Sequence, residues 1–162
     1  MSDIFIRLAN EDDCATILHF IVELARYEKA EHEVVANEED IKTAIFSKEA
    51  TVDAIICELN QQPIGFAVYF YNFSTWLGKK GIYLEDLYVT PAQRGIGAGI
   101  ALMRFLASKA IADDCGRFEW AVLDWNTPSI AFYESIGAKP KSEWVGYQLT
   151  GNALRAFAHS GK

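Results

Sequence analysis

YVTPAQRGIGAGIALM, residues 88–103, starts as the tail of an apolar strand and finishes inside a helix. Between the two stand Arg94, Gly95, Ile96, Gly97, Ala98, Gly99 and Ile100, three glycines among seven residues. Glycine weakens ordered backbone, so a turn this poor in side chains serves either a tight connection or a close approach of some group to the main chain. A strand leading through such a turn into a helix suits an anion. The first helical N–H groups lack intrahelical acceptors, and the helix dipole adds positive potential there. Arg94 can add a charge-assisted bond to a phosphate. Spacing narrows the choice. The glycines run GxGxG rather than the GxGxxG of dinucleotide folds, and no Lys-Ser/Thr pair follows as a P-loop demands. A bare strand–helix connection with no ligand is the other reading of this turn.

The pattern on either side predicts the rest of the fold. IFIRLA (4–9) reads as a strand. Asn10 caps a helix whose apolar stripe, Ile17, Ile21 and Leu24, runs to about Tyr27, and Asn37 with Asp40 repeats the capping pattern over 37–46. TVDAIICEL (51–59) and PIGFAVYFY (63–71) form a hairpin across a short polar turn, and IYLEDLYV (82–89) is a third strand before the glycine turn. A helix from about Gly97 to Ala112 and a strand over 117–125 follow. Next comes a helix capped by Thr127 with Pro128 at its first position and Gly137 past its end. A last strand, EWVGYQLT (143–150), and a short amphipathic helix around Leu154 to Phe157 complete the chain. The whole is predicted as one α/β domain spanning residues 1–162, a mixed sheet with helices on both faces.

Composition sets bounds on function. Of 162 residues, 51% are hydrophobic and 23% charged, enough for a packed globular core. The net charge of −7 argues against a nucleic-acid partner, and it suits either a cationic substrate or plain solubility. No basic and apolar leader opens the chain and no apolar run is long enough to span a bilayer, so a cytoplasmic protein without membrane association is expected. Cys14, Cys57 and Cys115 are an odd count at unrelated spacings, and His19, His32 and His159 are scattered, so neither a disulfide frame nor a metal site is expected.

Several segments carry a resemblance. RGIGAG (94–99) fits the Arg/Gln-x-x-Gly-x-Gly/Ala signature of the GCN5-related N-acetyltransferases, and NTPSIAFYESIGA (126–138) resembles that superfamily's second cofactor motif. Within it, ELARYE (23–28), TWLG (75–78), YLEDLYV (83–89) and LDWNTPSIAFY (123–133) look like the diamine, or spermidine/spermine, acetyltransferases. The similarity runs from residue 4 to about residue 150. It implies a mostly antiparallel central sheet of about six to seven strands. It also implies acetyl-CoA as cosubstrate, its diphosphate on Arg94 to Ile100, its pantetheine arm along Leu87, Tyr88 and Val89, with Asn126 and Ser129 beside it. Tyr27, Glu28 and Trp76 would line the acceptor site, and such proteins commonly form two-fold dimers, with which the apolar residues around Trp144 to Leu149 are compatible.

The chemistry makes its own demands. A primary amine attacks a thioester only when neutral, and deprotonating it at pH 7.4 costs about 4 kcal/mol. A proton acceptor, a cation-holding pocket and an acid for the departing thiolate are therefore needed. Glu85 and Asp86 adjoin inside an apolar strand, where alternation sends them to opposite faces unless a bulge intervenes. If both faces are covered, a polar cavity explains them; if one is solvated, they merely decorate it. By resemblance, Glu85 takes the amine proton and Asp86 holds the ammonium, an order the sequence leaves open, while Tyr133 is the acid. Glu31 and Glu33 either extend an anionic channel or belong to a solvated loop. No cysteine sits where its thiolate is favoured, so direct transfer in a ternary complex is expected. A small diamine, polyamine or lysine-like amine is the expected acceptor; a protein amine, an antibiotic, or a noncatalytic acyl-CoA-binding role are the alternatives.

Overall fold

A computed structural model describes residues 3–161. The chain falls into two compact units, one ending at Leu123 and the other starting at Asp124. The first is built on a five-stranded sheet: β1 (Ile4–Leu8), β2 (Asp53–Leu59), β3 (Gln62–Ser74), β4 (Lys79–Val89) and β5 (Phe118–Trp120), in that spatial order. Four strands are antiparallel to their neighbours and β5 runs parallel to β4. The helices α1 (Cys14–Tyr27), α2 (Glu38–Phe46) and α3 (Ala98–Ala112) belong to the same unit.

Both faces of the sheet are covered, which is why β2 and β3 read as unbroken apolar runs. Ala54, Ile56, Phe66, Val68 and Tyr88 pack with Cys14, Ile17, Phe20 and Ile41 beneath α1 and α2. The Phe20 ring lies 5.5 Å from Phe66 and 5.8 Å from Tyr88. The alternate residues Ile55, Cys57, Ala67 and Tyr69 turn to the opposite face, that of α3. There α3 buries Ala98, Leu102, Met103, Leu106 and Ala110 at helical spacing.

Capping sets where α1 and α2 begin. Asn10 and Asp13 form a reciprocal capping box around a 3-10 turn at Glu11–Asp13, and α1 continues from it. Arg7 holds Asp13 through two bonds of 2.7 and 2.9 Å and Glu58 through a third of 2.7 Å, so β1, β2 and the start of α1 are tied together. The Arg7 guanidinium holds the Asp13 carboxyl below its ordinary range. Asn37 and Asp40 form the same box at α2. Asn37→Ala is expected to cost about 1 kcal/mol of stability, read as a lower denaturant midpoint with an unchanged slope.

The second unit contains α4 (Thr127–Ser135) and α5 (Gly151–His159). The α4 cap is Asn126 rather than the expected Thr127. The Asn126 Oδ1 accepts from the Ser129 N–H at 3.4 Å, leaving Thr127 and Pro128 as the first turn. Two strand expectations need correction. The predicted 117–125 strand is only Phe118–Trp120, and residues 143–150 form no strand, so the sheet has five strands instead of six or seven. Tyr147 is 96% exposed and Trp144 62% exposed, and among the described residues no strand pairs with theirs. Alternating β-formers do not make a strand without an edge to bond to.

Candidate active site

Within the first unit three features converge along β4. The first is the glycine turn. After a 3-10 turn at Pro91–Gln93 the chain passes Gly95 at φ 85° and Gly97 at φ 95°, left-handed conformations that a side chain would strain. Gly97 caps α3 without a side chain, and the first helical bond runs from the Ala101 N–H to the Gly97 carbonyl at 3.0 Å. The N–H groups of Ala98, Gly99 and Ile100 thus precede the ladder. Apart from each glycine's own chain neighbours and the turn of helix that follows, no atom of the described residues lies within 4 Å of where a Cβ would stand at Gly95, Gly97 or Gly99, so the backbone there is open to an approaching group. Arg94 is turned back. Its Nε–H donates to the Val89 carbonyl at 2.9 Å, and its guanidinium lies 5.4 Å from the Tyr27 ring centre and 5.5 Å from that of Tyr88.

The second feature is an open edge. β5 pairs with β4 only at Ile82, Tyr83 and Leu84. From Glu85 to Val89 the same edge of β4 carries no strand among the described residues, so Leu87, Tyr88 and Val89 can bond an extended arm there as a strand would.

The third is a bulge. Tyr69 pairs with Leu84 and Val68 with Asp86, so Glu85 is the extra residue. The register decides which way the acids point. Leu84 shares the face of Tyr69, toward α3, whereas Asp86 shares the face of Val68, toward α1. Without the bulge, Asp86 would follow Leu84 to the α3 side. With it, Asp86 lines a cleft of about 210 Å³ together with Ile21, Leu24, Ala25, Glu28, Ala30, Glu33 and Val34. Glu85 is exposed.

The cleft is apolar but for three carboxylates, and burial there shifts those of Asp86 and Glu28. Burial, and then the charges of Glu85 and Glu28, push the Asp86 carboxyl up to about 6. Burial alone raises Glu28. No cation figures among the causes of either shift. The thiols of Cys14, Cys57 and Cys115 are all raised by burial, Cys57 to about 11, so none is poised as a nucleophile. Among the described residues no group of His, Cys, Asp or Glu is arranged to hold a metal, and no helix is long and apolar enough to cross a membrane.

Of the residues expected at the acceptor site, Glu28 and Asp86 line the cleft. Tyr27 lies instead against Arg94, and Trp76 is 87% exposed on the β3–β4 turn. Asn126, Ser129 and Tyr133 belong to the second unit. There Asn126 is buried as the α4 cap, and Tyr133 is half-buried with its ring 5.6 Å from Phe132. The apolar walls, Ile21, Leu24, Ala25 and Val34, were not foreseen as site residues. Their helical periodicity is that of a core stripe, and only the three-dimensional gap beside Asp86 separates the two roles.

The sequence model described as "Acetyltransferase (GNAT) family" matches residues 15–138. A thialysine N-epsilon-acetyltransferase of Sus scrofa is 35% identical, over 98% of this chain and 99% of its own length. A spermidine/spermine N(1)-acetyltransferase-like protein 1 of Homo sapiens is 34% identical over 89% of this chain and 22% of its own. Among solved structures, an integron cassette protein from the mobile metagenome of V. cholerae superposes with a TM-score of 0.81 at 30% identity, covering 97% of this chain and 98% of that one. The glycine turn, the open edge of β4 and these likenesses agree, and the chain belongs to the GNAT family of acetyltransferases.

Proposed function

We propose that this protein moves an acetyl group from acetyl-CoA to a primary amine of a small diamine, polyamine or lysine-like molecule, by direct attack with both substrates bound. The observation that carries this reading is the cleft beside β4. It has three carboxylates, apolar walls and no cation among its lining residues, adjacent to a strand edge that leads into a glycine-rich anion turn. An alkylammonium has the charge and the chain to fill it. The relatives named for thialysine and spermidine/spermine acetylation support an amine acceptor of this kind.

The residues present fit acetyl-CoA. Amides of Gly95 to Ile100 would hold the diphosphate and the β4 edge at Leu87 to Val89 the pantetheine arm, with Asn126 and Ser129 beside the same ligand by their motif. Bound acetyl-CoA supplies a thioester carbonyl that the amine attacks as the carbon–sulfur bond breaks. The chain then has two proton tasks. Asp86 receives the ammonium and takes up its proton, and exposed Glu85 passes that proton to water. From an ammonium of pKa near 10.4, transfer to an acid of about 6 is uphill by about 6 kcal/mol, against about 9 for an ordinary aspartate. Tyr133 gives its proton to the departing sulfur, a role that rests on its motif. Covalent acetylation of the protein has no candidate residue in this scheme.

The test is a panel of amines incubated with acetyl-CoA and the purified protein. Thiol release with short diamines or lysine analogues is expected. Turnover confined to peptides or aminoglycosides overturns the small-amine reading, and coenzyme binding without any turnover overturns the enzyme. Arg94→Ala is expected to raise the KM for acetyl-CoA about tenfold with kcat nearly unchanged. Both its bond to Val89 and its share of the anion turn are lost together. An unaltered KM would remove Arg94 from the cradle.

We also propose that the protein works as a homodimer in which the exposed apolar segment around Trp144 to Leu149 is covered. Sedimentation as a monomer at micromolar concentration would contradict this.

A further inference from the structure

Arg94 opens the glycine turn, and its side chain is held at three points. Its Nε–H donates to the Val89 carbonyl at 2.9 Å, and its guanidinium lies 5.4 Å from the Tyr27 ring centre and 5.5 Å from that of Tyr88, within cation–π reach of both. Its backbone is fixed as well, the Arg94 N–H closing on the Pro91 carbonyl at 3.3 Å. Two of the three side-chain holds come from β4 itself. Val89 ends that strand, and Tyr88 is 4% exposed, its ring 5.8 Å from that of Phe20 in the core. The third comes from another element, for Tyr27 is the last residue of α1.

A free arginine side chain samples many rotamers and loses that freedom when it grips a phosphate. Here the ordering is complete before a ligand arrives, which favours binding. The end of α1 is firm enough for the task. Ile17 and Phe20 of the same helix are buried in the core, and the Glu28 N–H donates to the Leu24 carbonyl at 2.9 Å. Successive residues on a helix point about 100° apart. Tyr27 therefore meets Arg94 while Glu28, one residue on, lines the cleft. The last turn of α1 reaches both the coenzyme turn and the acceptor cleft.

We propose that Tyr27 is the positioning residue of Arg94: its ring holds the guanidinium ready for the coenzyme diphosphate, so Tyr27 sets coenzyme affinity without touching the coenzyme. This rests on the reading above that the turn from Gly95 to Ile100 holds that diphosphate. It gives Tyr27 a different part from the acceptor-lining one that the resemblance implies. Tyr27 is 42% exposed, so its contact with the cation is worth a modest factor, about fivefold.

The test is calorimetric titration of the purified protein with coenzyme A, run as a double-mutant cycle. Tyr27→Leu is expected to weaken binding about fivefold, and Tyr27→Phe, which keeps the ring face, to stay within twofold of the parent. Arg94→Ala is expected to weaken it about tenfold. Adding Tyr27→Leu to Arg94→Ala should then cost nothing more, since Tyr27 acts through Arg94. Losses that multiply in the double variant overturn the proposal, because a loosened α1 or a direct coenzyme contact would add to the loss of Arg94. A Tyr27→Phe variant as weak as Tyr27→Leu overturns the ring contact. Coenzyme affinity intact in Tyr27→Leu, with a raised KM for the amine, returns Tyr27 to the acceptor site. In these three cases the anion turn stands. Binding unchanged in Arg94→Ala removes Arg94 from the cradle, and coenzyme A bound by no form of the protein overturns the anion turn and this proposal together.

Discussion

Asp86→Asn is expected to lower kcat/KM for the amine by about a hundredfold and, at the same time, to make the folded protein more stable at neutral pH. The two effects have one cause. Burial beside Glu85 and Glu28 holds the Asp86 carboxyl near 6, above its ordinary 3.8. The native state therefore binds this proton more tightly than the unfolded chain does. The sign follows from linkage: stability declines as pH rises through the window from about 4 to about 6, and the full penalty, about 3 kcal/mol, is present above it. An asparagine of the same shape carries no such penalty. Melting curves at pH 4 and pH 7.5 should show the variant gaining at 7.5 and losing that advantage at 4. The same substitution removes the acceptor for the amine proton and the anion that attracts the ammonium, so activity falls while the fold tightens. A variant that keeps its turnover would take Asp86 out of the chemistry. One that is less stable at pH 7.5 would show that the carboxylate is satisfied in the native state, contrary to its surroundings.

What the sequence could show of this site follows from how local each feature is. The glycine turn, the caps at Asn10 and Asn37, and the 51–71 hairpin depend on neighbours a few residues apart, and they stand where their patterns place them. The acid pair was legible as an anomaly in an apolar strand, and a bulge as the one exception to its alternation. Which residue bulges is a matter of register against β3, set across the sheet and invisible along the chain. The failures share this origin. Residues 121–125 and 143–150 alternate as strands do, but pairing depends on an available edge, and β5 ends at Trp120. Likewise Ile21 and Leu24 carry the period of a core stripe, and only the turn at 30–34, folded back by Lys29 and the Arg26–Glu31 pair, makes them the walls of a cleft. Periodicity tells which face of an element is apolar; what meets that face is decided elsewhere in the chain.

Tyr133→Phe is expected to lower kcat by about a hundredfold while leaving the KM for acetyl-CoA within about twofold. The argument is one of timing. A phenol hydroxyl gains little from a neutral thioester sulfur, but it is favoured once negative charge gathers there, so its loss is felt in turnover and not in cofactor binding. The proton balance is suitable: a phenol near pKa 10 stands close enough to an alkyl thiol, near 8.5, to give up its proton as the bond to carbon breaks. On α4, Ser129 stands one turn before Tyr133, while the neighbouring Phe132 ring lies 5.6 Å away and buttresses it. Phenylalanine keeps that packing and removes only the hydroxyl, so a general loosening of α4 would show instead as a lower melting point or a raised KM. The split between kcat and KM supplies the decisive readout. If the variant turns over as fast as the parent, the departing thiolate takes its proton from another source and Tyr133 is an ordinary packing residue of its helix.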